Sequence, residues 1–179
     1  MGLFDKLKKA VSAEPSAPAT PAAITAQASD FALCAPVSGK AVKMADVPDP
    51  VFSGEVLGKG CAIWPENDVV HAPVSGEVTV TMGHAVGLKS DSGVEVLVHV
   101  GVDTVDMKGR GFTGYVKQGD HVSAGDPMIK IDRSEIAAAG HPDCVVLAVS
   151  NTAEYASVTM TAEADAHVDA GAAVVEVAK

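Results

Sequence analysis

The chain has 179 residues, a formal net charge of −10, and only 4% aromatic residues against 47% hydrophobic ones. That length suits one domain with a real core plus a tail, and the acidic balance excludes nucleic acid while suiting a basic protein partner. The apolar mass is Val and Ala, with 17 Gly and 10 Pro, a composition of short strands and many turns rather than of a helix bundle.

Residues 1–12 read as an amphipathic N-terminal segment. Leu3, Phe4, Leu7, Ala10 and Val11 fall at helical spacing, with Lys6, Lys8 and Lys9 largely off that face. A helix this short is marginal in water, so it reads either as a frayed tail or as a weak contact with an anionic membrane. Residues 13–29 are Ala, Pro, Ser and Thr, with Pro15, Pro18 and Pro21 spaced by three. They predict an extended, solvated linker. No apolar run reaches the ~18 residues of a membrane span, and Asp5, Lys6, Lys8 and Lys9 interrupt any secretory core. Cys34, Cys61 and Cys144 are isolated, which reads as buried or neutral thiols in a reducing compartment. The expected location is cytoplasmic, with transient contact at the inner face of the membrane.

Residues 30–179 form the body, which carries two internal echoes. Ala35-Pro36-Val37-Ser38-Gly39-Lys40 recurs as Ala72-Pro73-Val74-Ser75-Gly76-Glu77. Asp120-His121-Val122-Ser123-Ala124-Gly125 recurs as Ala166-His167-Val168-Asp169-Ala170-Gly171, each copy leading into an apolar strand. Turn, strand, glycine turn and strand, twice over, predict an all-β antiparallel sandwich or barrel with pseudo-repeated halves. The expected helices are few and short: Arg133 to Ala139, capped by Asp132, and Thr152 to Ala156.

Of the six histidines, His71, His121, His141 and His167 have structural or surface explanations. His84 and His99 differ. Val94 to Val100 is β-branched and apolar, hence a strand, and Ser90-Asp91-Ser92-Gly93 is turn chemistry. A two-residue turn at Asp91-Ser92 sets His84 opposite His99, with Cβ atoms ~4.5–5.5 Å apart on one face. Val86, Leu88 and Leu97 then form an apolar collar around the pair. Two cations that close repel, so at least one ring is neutral near pH 7 and offers a nucleophilic nitrogen. Its neighbour can donate to a transferred oxyanion.

Three chemistries fit such a pair. One is phosphoryl transfer through phosphohistidine. A second is zinc: His99-Val100-Gly101-Val102-Asp103 has the H-x-x-x-D spacing of lysostaphin-type peptidases, although their H-x-H is missing. A third is a lipoyl- or biotinyl-type carrier, for which Lys43-Met44-Ala45-Asp46 is a poor match.

His99-Val100-Gly101-Val102-Asp103-Thr104-Val105, preceded by Ser90-Asp91-Ser92-Gly93-Val94-Glu95, resembles the phosphorylation signature of the glucose-type IIA proteins of the bacterial sugar phosphotransferase system. Gly83-His84-Ala85 resembles the setting of their second histidine. Ala45-Asp46-Val47-Pro48-Asp49-Pro50-Val51-Phe52, Met107-Lys108-Gly109-Arg110-Gly111-Phe112 and the N-terminal Met1-Gly2-Leu3-Phe4-Asp5-Lys6-Leu7-Lys8 resemble further family segments. The resemblance implies a phosphotransferase with a phosphohistidine intermediate and no required cofactor. His99 would accept the phosphoryl group from the histidine-containing phosphocarrier protein and pass it to a cysteine on the IIB domain of a sugar permease. His84 would stabilise the phosphoryl oxygens. Phe52, Val86, Leu97 and Asp103 would form the docking surface. The resemblance also implies an alternative: a regulatory protein that inhibits transporters or kinases when unphosphorylated, with zinc bridging His84 and His99 and a partner carboxylate completing its ligands. The chain departs from the family at Met82, where a threonine usually orients the second histidine; Thr81 stands one step earlier.

Overall fold

The computed structural model describes residues 19–179, so the segment expected at 1–12 lies outside the described residues. Fourteen strands follow in chain order. The first seven are β1 (Ala32–Cys34), β2 (Gly39–Lys43), β3 (Lys59–Pro65), β4 (Val69–His71), β5 (Gly76–Thr81), β6 (Ala85–Ser90) and β7 (Glu95–Val100). The others are β8 (Phe112–Gly114), β9 (His121–Val122), β10 (Pro127–Ile131), β11 (Val145–Val149), β12 (Ser157–Met160), β13 (His167–Val168) and β14 (Ala173–Ala178). The short helices are α1 (Pro50–Ser53) and α2 (Arg133–Ala138). The Asp132 carboxylate caps α2 by accepting from the Glu135 amide at 3.0 Å. Thr152–Glu154 is a single 3-10 turn.

All strand pairs are antiparallel. Eight strands form one sheet in the order β13-β2-β3-β11-β7-β6-β5-β9, and β1-β14-β12 and β4-β10-β8 form two smaller sheets. This is the expected all-β sandwich. The main core lies between the sheets and takes Leu33, Val70, Val98, Met128, Ile129, Leu147 and Val175 from all three. A second apolar cluster lies on the other face of the large sheet, where Val146 and Ala148 of β11 meet Val42, Phe52, Val102 and Cys144. The alternation along β11 serves both faces, because successive side chains point opposite ways.

The echoes are related in space as well as in sequence. His121-Val122 pairs with Glu77-Gly76, and His167-Val168 pairs with Lys40-Gly39. Ser75 Oγ accepts from the Ala124 amide at 2.9 Å, and Ser38 Oγ accepts from the Ala170 amide at 2.8 Å. The stretch expected to be a solvated linker has no regular secondary structure through residues 19–28, but part of it is bound to these repeats. The Ile24 amide donates to Gly125 O at 3.0 Å, and the Gln27 amide donates to Gly171 O at 2.7 Å. The two glycine turns present unpaired carbonyls that a passing chain satisfies. Residues 24–27 therefore strap the two halves together and are not free linker.

The β6–β7 register differs by one residue from the expected one. His99 pairs with Ala85, Val98 with Val86, Leu97 with Gly87 and Val96 with Leu88. The connection is a three-residue loop, closed by Ser90 N to Val94 O at 2.8 Å and Gly93 N to Ser90 O at 2.9 Å, with Gly93 at φ 92°. A three-residue hairpin ending in a left-handed glycine is a common solution. A one-residue slip exchanges faces. Val86 and Leu88, expected beside the histidines, therefore lie in the main core at 2% and 1% exposure.

Candidate functional site

His99 occupies the outer face near the end of β7, flanked in the ladder by Ala85 of β6 and Val146 of β11. Leu97 shares that face and packs on the outer cluster. His84 lies one residue before β6 rather than opposite His99. It is delivered by a turn at Gly83, whose φ is 73°. That turn is pinned by Met82 N to Ala85 O at 2.9 Å, His84 N to Met82 O at 2.9 Å and Val100 N to His84 O at 2.8 Å. The two histidines therefore meet without being ladder partners. The two rings stand 4.8 Å apart between centroids at 77° to one another.

Two aromatic rings complete the walls. Phe52, from α1, is 4.9 Å from His99, and Phe112, at the start of β8, is 6.3 Å from His84. His84 and Phe52 are 5% and 6% exposed. Asp103 is exposed, with φ 59°. Val86 faces away from the site. Of the four expected docking residues, the structure thus sets Phe52 against His99 and Leu97 on the same face of β7, leaves Asp103 exposed four residues beyond His99, and removes Val86 to the core. Exposed Val80 and Leu57 line an apolar depression of about 310 Å³ together with Leu97 and Gly87.

The His99 Nδ1 lies 2.9 Å from Gly101 O. A carbonyl only accepts, so Nδ1 carries the proton and Nε2 keeps its lone pair. Gly101 turns its carbonyl back by adopting φ 78°. A Cβ there would lie 2.3 Å from the Thr104 methyl, so no larger residue fits. Burial pushes the His99 pKa from 6.5 down to about 4, helped by neighbouring His84 and opposed by the Gly101 bond and the charge of Asp49. Burial also lowers His84, against a polar contact with the Met82 backbone. Both rings are therefore neutral near pH 7. Among the described residues no hydrogen bond joins exposed Thr81 to His84. Thr81 instead pairs with Val86 at the end of β5.

Within this chain the pair supplies two ring nitrogens for a metal. Zinc wants four ligands, and no group of three or more His, Cys, Asp or Glu side chains converges among the described residues. The zinc expectation at His84 and His99 is not supported. The thiols offer nothing either: burial raises Cys34 to about 11 and Cys61 and Cys144 to about 12.

The remaining histidines keep structural settings. His121 Nε2 lies 2.8 Å from an Asp91 carboxylate oxygen, and His167 lies between Glu66 and Asp169. His71 is 5% exposed beneath the Pro36 turn. Sequence reasoning missed Asp49 as a contributor to the site. The signal was present, because an Asp followed by Pro is a helix start.

Comparison with known proteins bears on this arrangement. Residues 31–155 match the family model described as phosphoenolpyruvate-dependent sugar phosphotransferase system, EIIA 1. The chain is 43% identical over 122 residues to a beta-glucoside-specific EIIBCA component of Bacillus subtilis, covering 67% of this chain and 20% of that one. It is 38% identical over 133 residues to a glucose-specific EIIA component of Staphylococcus aureus, covering 73% of this chain and 80% of the relative. A mannose-specific EIIBCA component of Corynebacterium glutamicum is 43% identical over 128 residues, 70% of this chain and 19% of that one. This chain thus spans about a fifth of the length of the two EIIBCA relatives. The solved glucose permease IIA from Mycoplasma capricolum superposes with a TM-score of 0.70 at 34% identity, covering 81% of this chain and 94% of that one. The chain belongs to the EIIA 1 family of the phosphoenolpyruvate-dependent sugar phosphotransferase system.

Proposed function

We propose that the chain is a phosphocarrier in which His99 Nε2 holds the phosphoryl group. The observation that carries this reading is the His99 ring itself: neutral, tied through Nδ1 to Gly101, and 4.8 Å from a second imidazole. The Nε2 lone pair attacks phosphorus as the phosphorus–nitrogen bond of the donor phosphohistidine breaks, and the donor ring leaves with that electron pair. A ring N–H of His84 donates to the phosphoryl oxygens as charge gathers on them. In the onward step a cysteine thiolate attacks phosphorus and His99 Nε2 regains its electron pair.

The donor in this reading is the histidine-containing phosphocarrier protein, and the acceptor is the IIB domain of a sugar permease. The B, C and A components share one chain in the EIIBCA relatives, which supports a IIB partner. The relatives bear three different sugar names at similar identity. That fits a component that handles the phosphoryl group rather than the sugar. Their names are those of phosphotransferase-system components, which favours the relay over the regulatory alternative. Phe52, Leu97 and the Leu57–Val80 depression supply apolar area for docking, with exposed Asp103 for a basic partner group. Residues 1–12 add a weak contact with anionic membrane.

The test is to incubate the protein with phosphoenolpyruvate and the two general proteins of the system, then map the modified residue. Label on His99, abolished by His99→Ala, is expected. Label on any other residue overturns the assignment.

A further inference from the structure

Phe52 stands against His99 because of a helix one turn long. Pro50–Ser53 has four residues, too few to hold by themselves. What holds them is Asp49. One of its carboxylate oxygens accepts from the Val51 amide at 2.8 Å and from the Phe52 amide at 3.1 Å. Pro50 follows at the first helical position, where no N–H is needed. The Asp49 amide in turn donates to Val47 O at 2.8 Å, which ties the cap to the outer cluster that holds Val47 and Phe52. The carboxylate thus bonds the very amide of the residue whose ring lies 4.9 Å from His99.

Building on the phosphocarrier reading above, we infer that Asp49 is a positioning residue for phosphorylated His99: its cap holds the Phe52 ring against the imidazole, and the ring keeps water from the nitrogen–phosphorus bond. The reaction held back is hydrolysis. In it a water oxygen bonds to phosphorus as the nitrogen–phosphorus bond breaks, Nε2 keeps the electron pair, and inorganic phosphate leaves with the proton shared between it and solvent. Without the cap the turn frays and the ring leaves its place. Asn at position 49 retains an acceptor oxygen and caps as well as Asp.

The experiment phosphorylates the full chain, removes the other proteins, and follows loss of phosphate in buffer, so that no partner contact enters the rate. Asp49→Ala is expected to lose phosphate several-fold faster than the parent, and Asp49→Asn to restore the parent rate. Phe52→Leu, which keeps the apolar volume and loses the ring, is expected to hydrolyse as fast as Asp49→Ala and to add nothing to it in the double variant. The ring-current shift of the His99 ring protons should shrink in Asp49→Ala and return in Asp49→Asn. Parent-like hydrolysis in Phe52→Leu overturns the inference even where Asp49→Ala does not fold. Asp49→Asn as fast as Asp49→Ala also overturns it, since the effect then belongs to charge. A parent protein that never takes label on His99 overturns the phosphocarrier reading instead.

Discussion

The Nδ1–H of His99 donates to the carbonyl of Gly101, two residues along the chain, at 2.9 Å. One ring nitrogen is thereby committed to the backbone and the other is left for chemistry. Phosphorus and nitrogen NMR of the labelled protein should show the phosphoryl group on Nε2. Attachment at Nδ1 would mean that the Gly101 bond breaks before transfer.

In the proposed relay His84 contributes a ring donor beside His99 without itself taking the phosphoryl group. His84→Ala should still accept label on His99. Its onward transfer should slow by about 10²-fold, the cost of removing one aligned donor to a developing oxyanion. His84→Gln keeps one donor and should lose less. Rapid-quench transfer to a IIB domain separates the two steps. A folded His84→Gln protein that takes no label at all would show that His84 is needed for acceptance.

The lowered histidines make stability depend on pH. An unfolded chain protonates these rings as pH falls through 6.5, whereas folded His99 stays neutral down to about 4. His84 and His71 are lowered in the same direction by burial. Between these limits the unfolded state binds more protons, so their contribution to stability is full above 6.5 and declines as pH falls toward 4. Denaturant unfolding at about pH 7 and about pH 5 should show a smaller loss for His99→Gln than for the parent. An equal loss would show that His99 titrates normally in the folded protein.

The strap at residues 24–27 has its own test. Gly125 and Gly171 adopt φ 94° and 91°, and a Cβ on either would lie 2.2 Å from a strap carbonyl, of Ile24 and Thr25 respectively. Alanine at either position should cost about 1 kcal/mol or more from backbone strain alone. It should also speed amide exchange at Ile24 and Gln27 while leaving label on His99 intact, because the strap joins β9 and β13 turns rather than the ends of β6 and β7. Fast exchange at Ile24 and Gln27 in the parent protein would return residues 24–27 to the linker reading.

Deletion of residues 1–12 should spare acceptance of phosphate from a soluble donor. It should slow transfer to a membrane-bound IIB, because a surface contact raises local concentration. Lysine attraction to anionic vesicles is screened over ~8 Å at physiological ionic strength, so binding by the intact chain should fall with added salt. Vesicle co-sedimentation unaffected by the deletion would assign the segment to the frayed-tail reading.

The sequence by itself determined the strands, the turns, the paired halves and the two histidines. Period-two apolar alternation, Ser-Asp-Ser-Gly turn chemistry and the repeated Ala-Pro-Val-Ser-Gly are local signals, and each marks its own segment. It did not determine which residues oppose one another across β6 and β7. Two-residue and three-residue loops read almost alike in Ser90-Asp91-Ser92-Gly93, and only the bond between Ser90 N and Val94 O decides between them. That single residue sends Val86 to the core while Leu97 and His99 face outward, because side chains alternate along a strand. The tertiary structure also brought His84 to His99 through the Gly83 turn, set Phe52 and Val146 beside His99 from distant stretches of chain, and bound Ile24 and Gln27 to the glycine turns. Those are long-range meetings, fixed by burial and by the need to pair backbone groups, and no local pattern encodes them.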